Sequence, residues 1–228
     1  MPRGESTKRS YQDPCGTARA LDVIGERWAV LVVRELLFGP KRFTDLSRGL
    51  PGMSQNVLSQ RLRELAEAGV LRRTRLGPPA GGTAYELTQR GRALEPILLE
   101  LGRWGSRVAA DTGGELSVDA LVFALRTTFD ARSAGRSAIR VELRFAADRF
   151  RAEIGEGTFQ VARGGAAEPD ATLDTDPGTL RSIVFGGRPL AEAVQAGDVR
   201  LAGDQRAATR FTRCFPRPTP FPAENDLA

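Results

Sequence analysis

The sequence predicts an α+β chain of two domains: a helical N-terminal one with a single β-hairpin, and a C-terminal one with a mainly antiparallel five-stranded sheet. Three observations carry this. Up to residue 110 the apolar residues recur mostly at helical spacing, interrupted by two short strand-like runs around G-P-P-A-G-G-T. Beyond Asp111-Thr112-Gly113-Gly114 the pattern changes to alternation, cleanest in I-R-V-E-L-R-F over 139–145. The charge divides at the same place: residues 1–112 hold 18 Lys+Arg against 12 Asp+Glu, whereas 113–228 hold 15 against 16.

In chain order, residues 1–13 lack periodicity and read as a flexible arm. Ala18, Leu21, Val23 and Ile24 mark a short helix ended or bent at Gly25. Trp28–Phe38 is apolar nearly all round, with Arg34 and Glu35 as exceptions, so it belongs in a core or a subunit interface. Those two residues read as an interface ion pair or helix-end contacts rather than catalytic groups. Gly39-Pro40 stops this helix, and Phe43–Leu50 makes one or two further turns. After Pro51-Gly52, Ser54 is a good N-cap for a helix running to the C′ glycine Gly69. Its Leu58, Leu62 and Leu65 form one narrow apolar stripe. Val70–Leu76 and Ala84–Leu87 then form a hairpin, and Thr88 can cap a long helix Gln89–Ala110 that Pro96 would kink.

In the second half Leu116–Phe129 reads as a helix. Strands at Ile139–Phe145, Phe150–Ile154 and Thr158–Ala162 make a meander that Ala171–Thr175 continues. Pro177 and Pro189 open two helices, Val199–Ala202 is a fifth strand, and Asp204 caps a last helix to Cys214. The tail F-P-R-P-T-P-F-P is extended. The domains are therefore 14–112 and 115–215, flanked by the arm and a Pro-rich tail, 216–228.

Two short helices joined by a tight turn, followed by a hairpin, make a winged helix-turn-helix. The helix after Ser54 carries the reading. Opposite its leucines lie Asn56, Ser59, Gln60 and Arg63, flanked by Gln55 and Arg61. Amides, a hydroxyl and arginines match base edges and phosphates, where an ordinary solvated face carries mixed Glu and Lys. Residues 41–92 hold 10 Lys+Arg against 4 Asp+Glu, the surplus a DNA-binding domain requires. Base edges are assigned to Gln55, Asn56 and Ser59, with Gln60 and Arg63 able to join them and Ser54 at the same helix end. Phosphates are assigned to Lys41, Arg42, Arg61, Arg72, Arg73 and Arg75.

Several classes are disfavoured. The chain has no histidine, which removes the commonest general base and metal ligand. No nucleophile-plus-base constellation remains, so neither an enzyme nor a cofactor is expected. Cys15 and Cys214 stand alone, outside any metal spacing or disulfide framework. Asp170, Asp174 and Asp176 admit a metal reading, but strand solvation and helix capping are favoured. No apolar run is long enough to span a membrane, and the polar N-terminus lacks a signal core, so a cytoplasmic protein is expected.

The motifs C-G-T-A-R-A-L-D-V-I-G-E-R-W, E-L-L-F-G-P-K-R-F-T-D-L, L-P-G-M-S-Q-N-V-L-S-Q-R-L-R-E-L-A-E-A-G-V-L-R-R and A-Y-E-L-T-Q-R-G-R-A-L run in order over residues 14–105. They resemble the HxlR family of winged helix-turn-helix regulators, relatives of the MarR type. That family usually has proline after its N-terminal cysteine and a charged wing tip; here stand Gly16 and P-P-A-G-G-T. The resemblance implies a bacterial regulator, and in some relatives the N-terminal cysteine is a redox sensor. Cys15 is thus a sensor or an inert buried thiol. The apolar surface of the Trp28 helix and of 89–110 exceeds what so small a domain covers, so a homodimer on a two-fold-symmetric operator is expected.

P-D-A-T-L-D-T-D-P-G-T-L-R-S-I-V-F-G-G-R-P-L-A-E-A-V-Q-A-G-D-V-R-L-A-G-D, within residues 115–215, resembles a sterol-carrier-protein-like domain. This implies an apolar cavity for a hydrophobic small molecule. Leu121, Phe123, Leu125, Phe129, Phe159, Ile183, Val184 and Phe185 can line it, and can equally be core. Three readings follow: a ligand-controlled DNA-binding dimer, the same dimer switched by Cys15 oxidation, or a lipid carrier.

Overall fold

The computed structural model describes residues 10–77, 81–108, 114–135 and 138–222. The chain forms two compact units that divide between Leu94 and Glu95. This is earlier than the Asp111–Gly114 break in sequence texture, of which residues 111–113 lie outside the described ones. So do most of the N-terminal arm (1–9), the wing tip (78–80) and the end of the tail (223–228).

The first unit runs α1 (Gly16–Ile24), α2 (Ala29–Leu36), α3 (Phe43–Gly49), α4 (Gln55–Glu67), β1 (Leu71–Arg75), β2 (Thr83–Leu87) and α5 (Gln89–Arg92). Val32, Val33, Leu36, Leu46, Leu58, Leu62 and Leu65 are buried together with Leu71 and Ala84 of the hairpin. Ser54 Oγ caps α4 by accepting the Val57 N–H at 3.3 Å. At the other end Gly69 has φ +69°. The Val70 N–H donates to Leu65 O and the Gly69 N–H to Ala66 O, both at 2.9 Å, a Schellman closure with Leu65 and Val70 both buried.

β1 and β2 pair antiparallel, with Arg73 opposite Tyr85. Lys41 adds a bridge: its N–H donates to Tyr85 O at 3.0 Å and its carbonyl accepts the Tyr85 N–H at 2.8 Å. Its ammonium turns inward to the Glu35 carboxylate at 2.7 Å, and Arg34 reaches the other oxygen at 2.9 Å. The charged exceptions in the apolar helix are thus an internal anchor, joining α2 to the strand that supports the wing.

The single helix expected over Gln89–Ala110 is two helices. Pro96 lacks an N–H, and its ring would meet the carbonyl of Arg92 in a continuous helix. The first helix accordingly ends at Arg92, and α6 (Glu95–Gly105) starts afresh with Pro96 in its first turn.

The second unit continues with α7 (Val118–Thr128), α8 (Ala131–Ala134), β3 (Ile139–Phe145), β4 (Asp148–Gly155), β5 (Thr158–Arg163), β6 (Ala171–Asp174), α9 (Pro177–Val184), α10 (Leu190–Gln195), β7 (Arg200–Gly203) and α11 (Gln205–Arg213). Its five strands lie in the order β5-β4-β3-β6-β7. The sheet is mixed, not the mainly antiparallel one expected, because β6 pairs in parallel with β3. The chain leaves β5 at one edge and crosses back beside β3 instead of extending the meander. The crossing segment covers Glu142 of β3, whose carboxylate accepts the Ala166 N–H at 3.1 Å and the Arg144 Nε–H at 2.6 Å. A glutamate on the polar face is thereby buried. Alternation alone cannot reveal which strand edge a later segment joins.

The tail folds back on its own unit. The Phe221 N–H donates to Arg107 O at 2.8 Å, and the Arg107 guanidinium lies 4.2 Å over the Phe221 ring. Among the described residues no helix is long and apolar enough to cross a membrane.

Candidate nucleic-acid interface

The spacing of Leu58, Leu62 and Leu65 seats α4 on the core, so Gln55, Asn56, Ser59, Gln60 and Arg63 are all exposed. Asn56, Ser59, Gln60 and Arg63 line a polar groove of about 550 Å³ whose other wall is Arg73 and Tyr85 of the wing. The Arg73 guanidinium stands 5.8 Å from the Tyr85 ring centroid, a cation–π contact across the strand pair. Gln60 also donates to Glu64 at 2.9 Å. The groove presents amide, hydroxyl and guanidinium groups without a carboxylate in its lining.

The remaining arginines and Lys41 divide. Arg75 is exposed on β1. Arg72, also exposed, pairs with Glu86 at 2.8 Å. Arg42 donates to Gly81 O at 2.9 Å and so sits against the wing. Two assignments do not fit. Lys41 is held by Glu35, and Arg61 is buried at 8% exposure, bonded to Glu64 at 2.6 Å and near Glu26 at 3.5 Å. Arg61 lies three residues after Leu58 and four before Leu65, which puts it on the packed side of α4. Its guanidinium is held by these two carboxylates. Tyr85 escaped the sequence reading. Its signal was the strand alternation of A-Y-E-L, which sets Tyr85 and the buried Ala84 on opposite faces.

The two thiols have opposite settings. Cys15 is exposed at the N-cap of α1, where the backbone N–H groups of Thr17 and Ala18 hold its pKa below that of an ordinary thiol. Cys214 is buried, and burial pushes its pKa up. Asp176 caps α9 through the Thr179 N–H at 2.9 Å, and Asp170 accepts the Arg140 N–H at 2.7 Å. Among the described residues no cluster of His, Cys, Asp or Glu could hold a metal ion.

The residues expected to line a C-terminal cavity do not form one group. Leu121 and Leu125 are fully buried, and Phe123 nearly so. Phe129 stacks on Phe159 at 5.6 Å, and Phe159 meets Phe211 and Phe215 at 6.3 and 5.0 Å. These rings pack on one another, Phe211 and Phe215 fully buried and Phe129 and Phe159 half-buried. Ile183 and Val184 instead border a surface groove, and Phe185 is half-buried.

Residues 23–112 match the family model for HxlR-like helix-turn-helix proteins. The regulator YvaP of Bacillus subtilis is 40% identical over 88 residues, 39% of this chain and 82% of YvaP. The chain belongs to the HxlR-like helix-turn-helix family. A solved structure of the redox regulator HypR in its oxidized form is also similar, at 34% identity, with a TM-score of 0.39, 42% of this chain and 99% of HypR covered. Residues 106–221, overlapping the end of that match, belong to the alkyl sulfatase C-terminal family, where the sequence motifs resemble a sterol-carrier-like domain. The sec-alkyl sulfatase PisA1 is similar over 44% of this chain and 16% of its own, at 20% identity and a TM-score of 0.40.

Proposed function

We propose that this HxlR-like protein is a transcriptional regulator that binds a two-fold-symmetric DNA operator as a homodimer. The observation that carries the reading is the groove in which Asn56, Ser59, Gln60 and Arg63 of α4 face Arg73 and Tyr85 of the wing. The helix side supplies groups for base edges in the major groove, and the wing supplies cations for phosphate. The regulators YvaP and HypR make transcription control the natural use of such a surface. Asn56→Ala is expected to cost about 1–3 kcal/mol at one base position, read by mobility shift on a set of single-base operator variants. Equal loss on every sequence would reassign Asn56 to phosphate positioning.

The dimer reading rests on α6, where Ile97, Leu101 and Trp104 are 54%, 50% and 60% exposed at helical spacing. A second copy covering this stripe would supply the second recognition helix. Leu101→Glu is expected to shift the sedimentation of the protein from dimer to monomer and to weaken operator binding with it. The C-terminal half is the sensing part in this proposal: a hydrophobic small molecule bound there biases the spacing of the two recognition helices. Such coupling requires unequal affinity for the two arrangements.

A second reading has its own observation, the exposed low-pKa Cys15. Its thiolate forms at lower pH than that of Cys214, so alkylation by iodoacetamide at pH 7 is expected to label Cys15 first by at least tenfold. The Cys15 rate should rise with pH through a midpoint below the ordinary thiol value. Loss of operator binding after diamide treatment, absent in Cys15→Ser, would establish the redox switch. Unchanged binding would dismiss it.

A further inference from the structure

The last helix of the C-terminal unit is sharply two-sided. Ala207, Ala208, Phe211 and Thr212 of α11 are buried, and the fully buried Cys214 and Phe215 follow it. Gln205, Arg206, Arg210 and Arg213 are exposed. The three arginines recur at i, i+4 and i+7, which sets them on one face over about 10 Å of helix. Arg217, four residues further on, is exposed as well.

No carboxylate interrupts the stripe. Residues 205–217 hold four arginines and no Asp or Glu, while the rest of 113–228 holds 11 Lys+Arg against 16 Asp+Glu. Positive charge is thus gathered on one helix of an otherwise acidic half. It is also uncompensated: Arg206, Arg210 and Arg213 form no ion pair among the described residues, whereas Arg163 and Arg188 of the same unit each hold two carboxylates. The acids that flank the helix serve as caps. Asp204 accepts the Arg206 N–H at 2.7 Å. Asp130, whose own N–H donates to Cys214 O at 2.9 Å, accepts the Arg132 and Ser133 N–H groups at 3.1 and 3.2 Å.

A guanidinium fork suits phosphate oxygens, and three in line suit a partner whose charges also run in line. Double-stranded DNA carries one charge about every 1.7 Å of its axis. A membrane surface would need the apolar side of the helix too, and that side is buried. We infer that the outer face of α11 is a second DNA-contacting surface, in which Arg206, Arg210 and Arg213 bind backbone phosphates without reading sequence. The stripe is separate from the groove of α4 and the wing, while its choice of DNA among polyanions rests on the regulator reading proposed above.

The test is fluorescence anisotropy of the full chain on a long random-sequence duplex across a series of salt concentrations. Each phosphate neutralised contributes about 0.9 to the slope of log affinity against log salt. Arg206→Gln, Arg210→Gln and Arg213→Gln together are expected to lower that slope by about 2–3 per bound chain and to weaken binding about tenfold or more at fixed salt. The matching lysine variant should keep the slope, because a point charge releases the same counterions. Thermal melts check that both variants remain folded. An unchanged slope in the folded glutamine variant would overturn the stripe and leave the α4 reader intact. A stripe-dependent slope in a protein that selects no sequence would keep the stripe and overturn the reader, and no duplex binding at all would overturn both. Stripe-dependent binding to polyglutamate or phosphatidylserine vesicles that is tighter than to the duplex would overturn the assignment to DNA.

Discussion

Replacing Glu35 with alanine is expected to destabilise the N-terminal unit by about 3–5 kcal/mol, the range for removing one partner of a buried ion pair. The Glu35 side chain has no solvent exposure, that of Lys41 has 12%, and their charged atoms are 2.7 Å apart. Without the carboxylate, a largely buried ammonium loses its 2.7 Å ion pair, and Arg34 loses its contact as well. The same lysine pairs its backbone with Tyr85, so the wing should loosen together with the core. Because the chain forms two compact units, unfolding need not be a single transition. The measurement is therefore urea unfolding followed through Trp28 in a Trp104→Phe background, which reports the first unit alone. A loss below about 1 kcal/mol would place the pair among weak surface bridges. Glu35→Gln, which keeps the shape and an acceptor, should cost less than Glu35→Ala.

Gly91→Ala is the other large effect. A Cβ built on Gly91 would stand 2.1 Å from the Val70 carbonyl oxygen and 3.1 Å from Leu87 Cδ2. The obstruction is backbone, and that carbonyl already accepts the Thr88 N–H at 3.0 Å. Thr88 Oγ1 in turn donates to Gly69 O at 2.7 Å and accepts the Gly91 N–H at 3.2 Å. Moving α5 away would break the junction that holds the wing to the end of the recognition helix. Overpacking plus a lost hydrogen bond gives an expected cost of about 2–4 kcal/mol. Gly105→Ala is the control, since its added Cβ meets nothing within 4 Å. In that helix it should be neutral or stabilising by up to about 1 kcal/mol.

These two sites show where the sequence could be read and where it could not. The N-terminal elements were legible because each has a local signature: Ser54 as cap, Gly69 as C′ residue, leucines at helical spacing and turn residues at the wing. The exposed face of α4 followed from the same periodicity. What periodicity cannot supply is the partner of a charged side chain. Lys41 and Arg61 have the composition of phosphate contacts, yet Lys41 pairs with Glu35 of α2, and Arg61 is buried beside Glu64 of its own helix and Glu26. Tyr85 joins the groove only once the strand register puts it opposite Arg73. In the second unit, strand alternation was plain, but the parallel placement of β6 beside β3 depends on a crossover with no local code. The apolar residues were recognised there without revealing which would pack as core and which would border the groove.

If the groove of α4 and the wing reads DNA sequence, the protein must select its own site from a mixture. The direct measurement selects binders from a random duplex pool with the full chain, then titrates the enriched duplex and a scrambled one at the same salt concentration. The expected result is a two-fold-symmetric site bound on the order of 10³-fold or more tightly than the scrambled duplex, with Asn56→Ala relaxing the preference at one base pair in each half-site. No enrichment, or equal affinity for the enriched and scrambled duplexes, would contradict it.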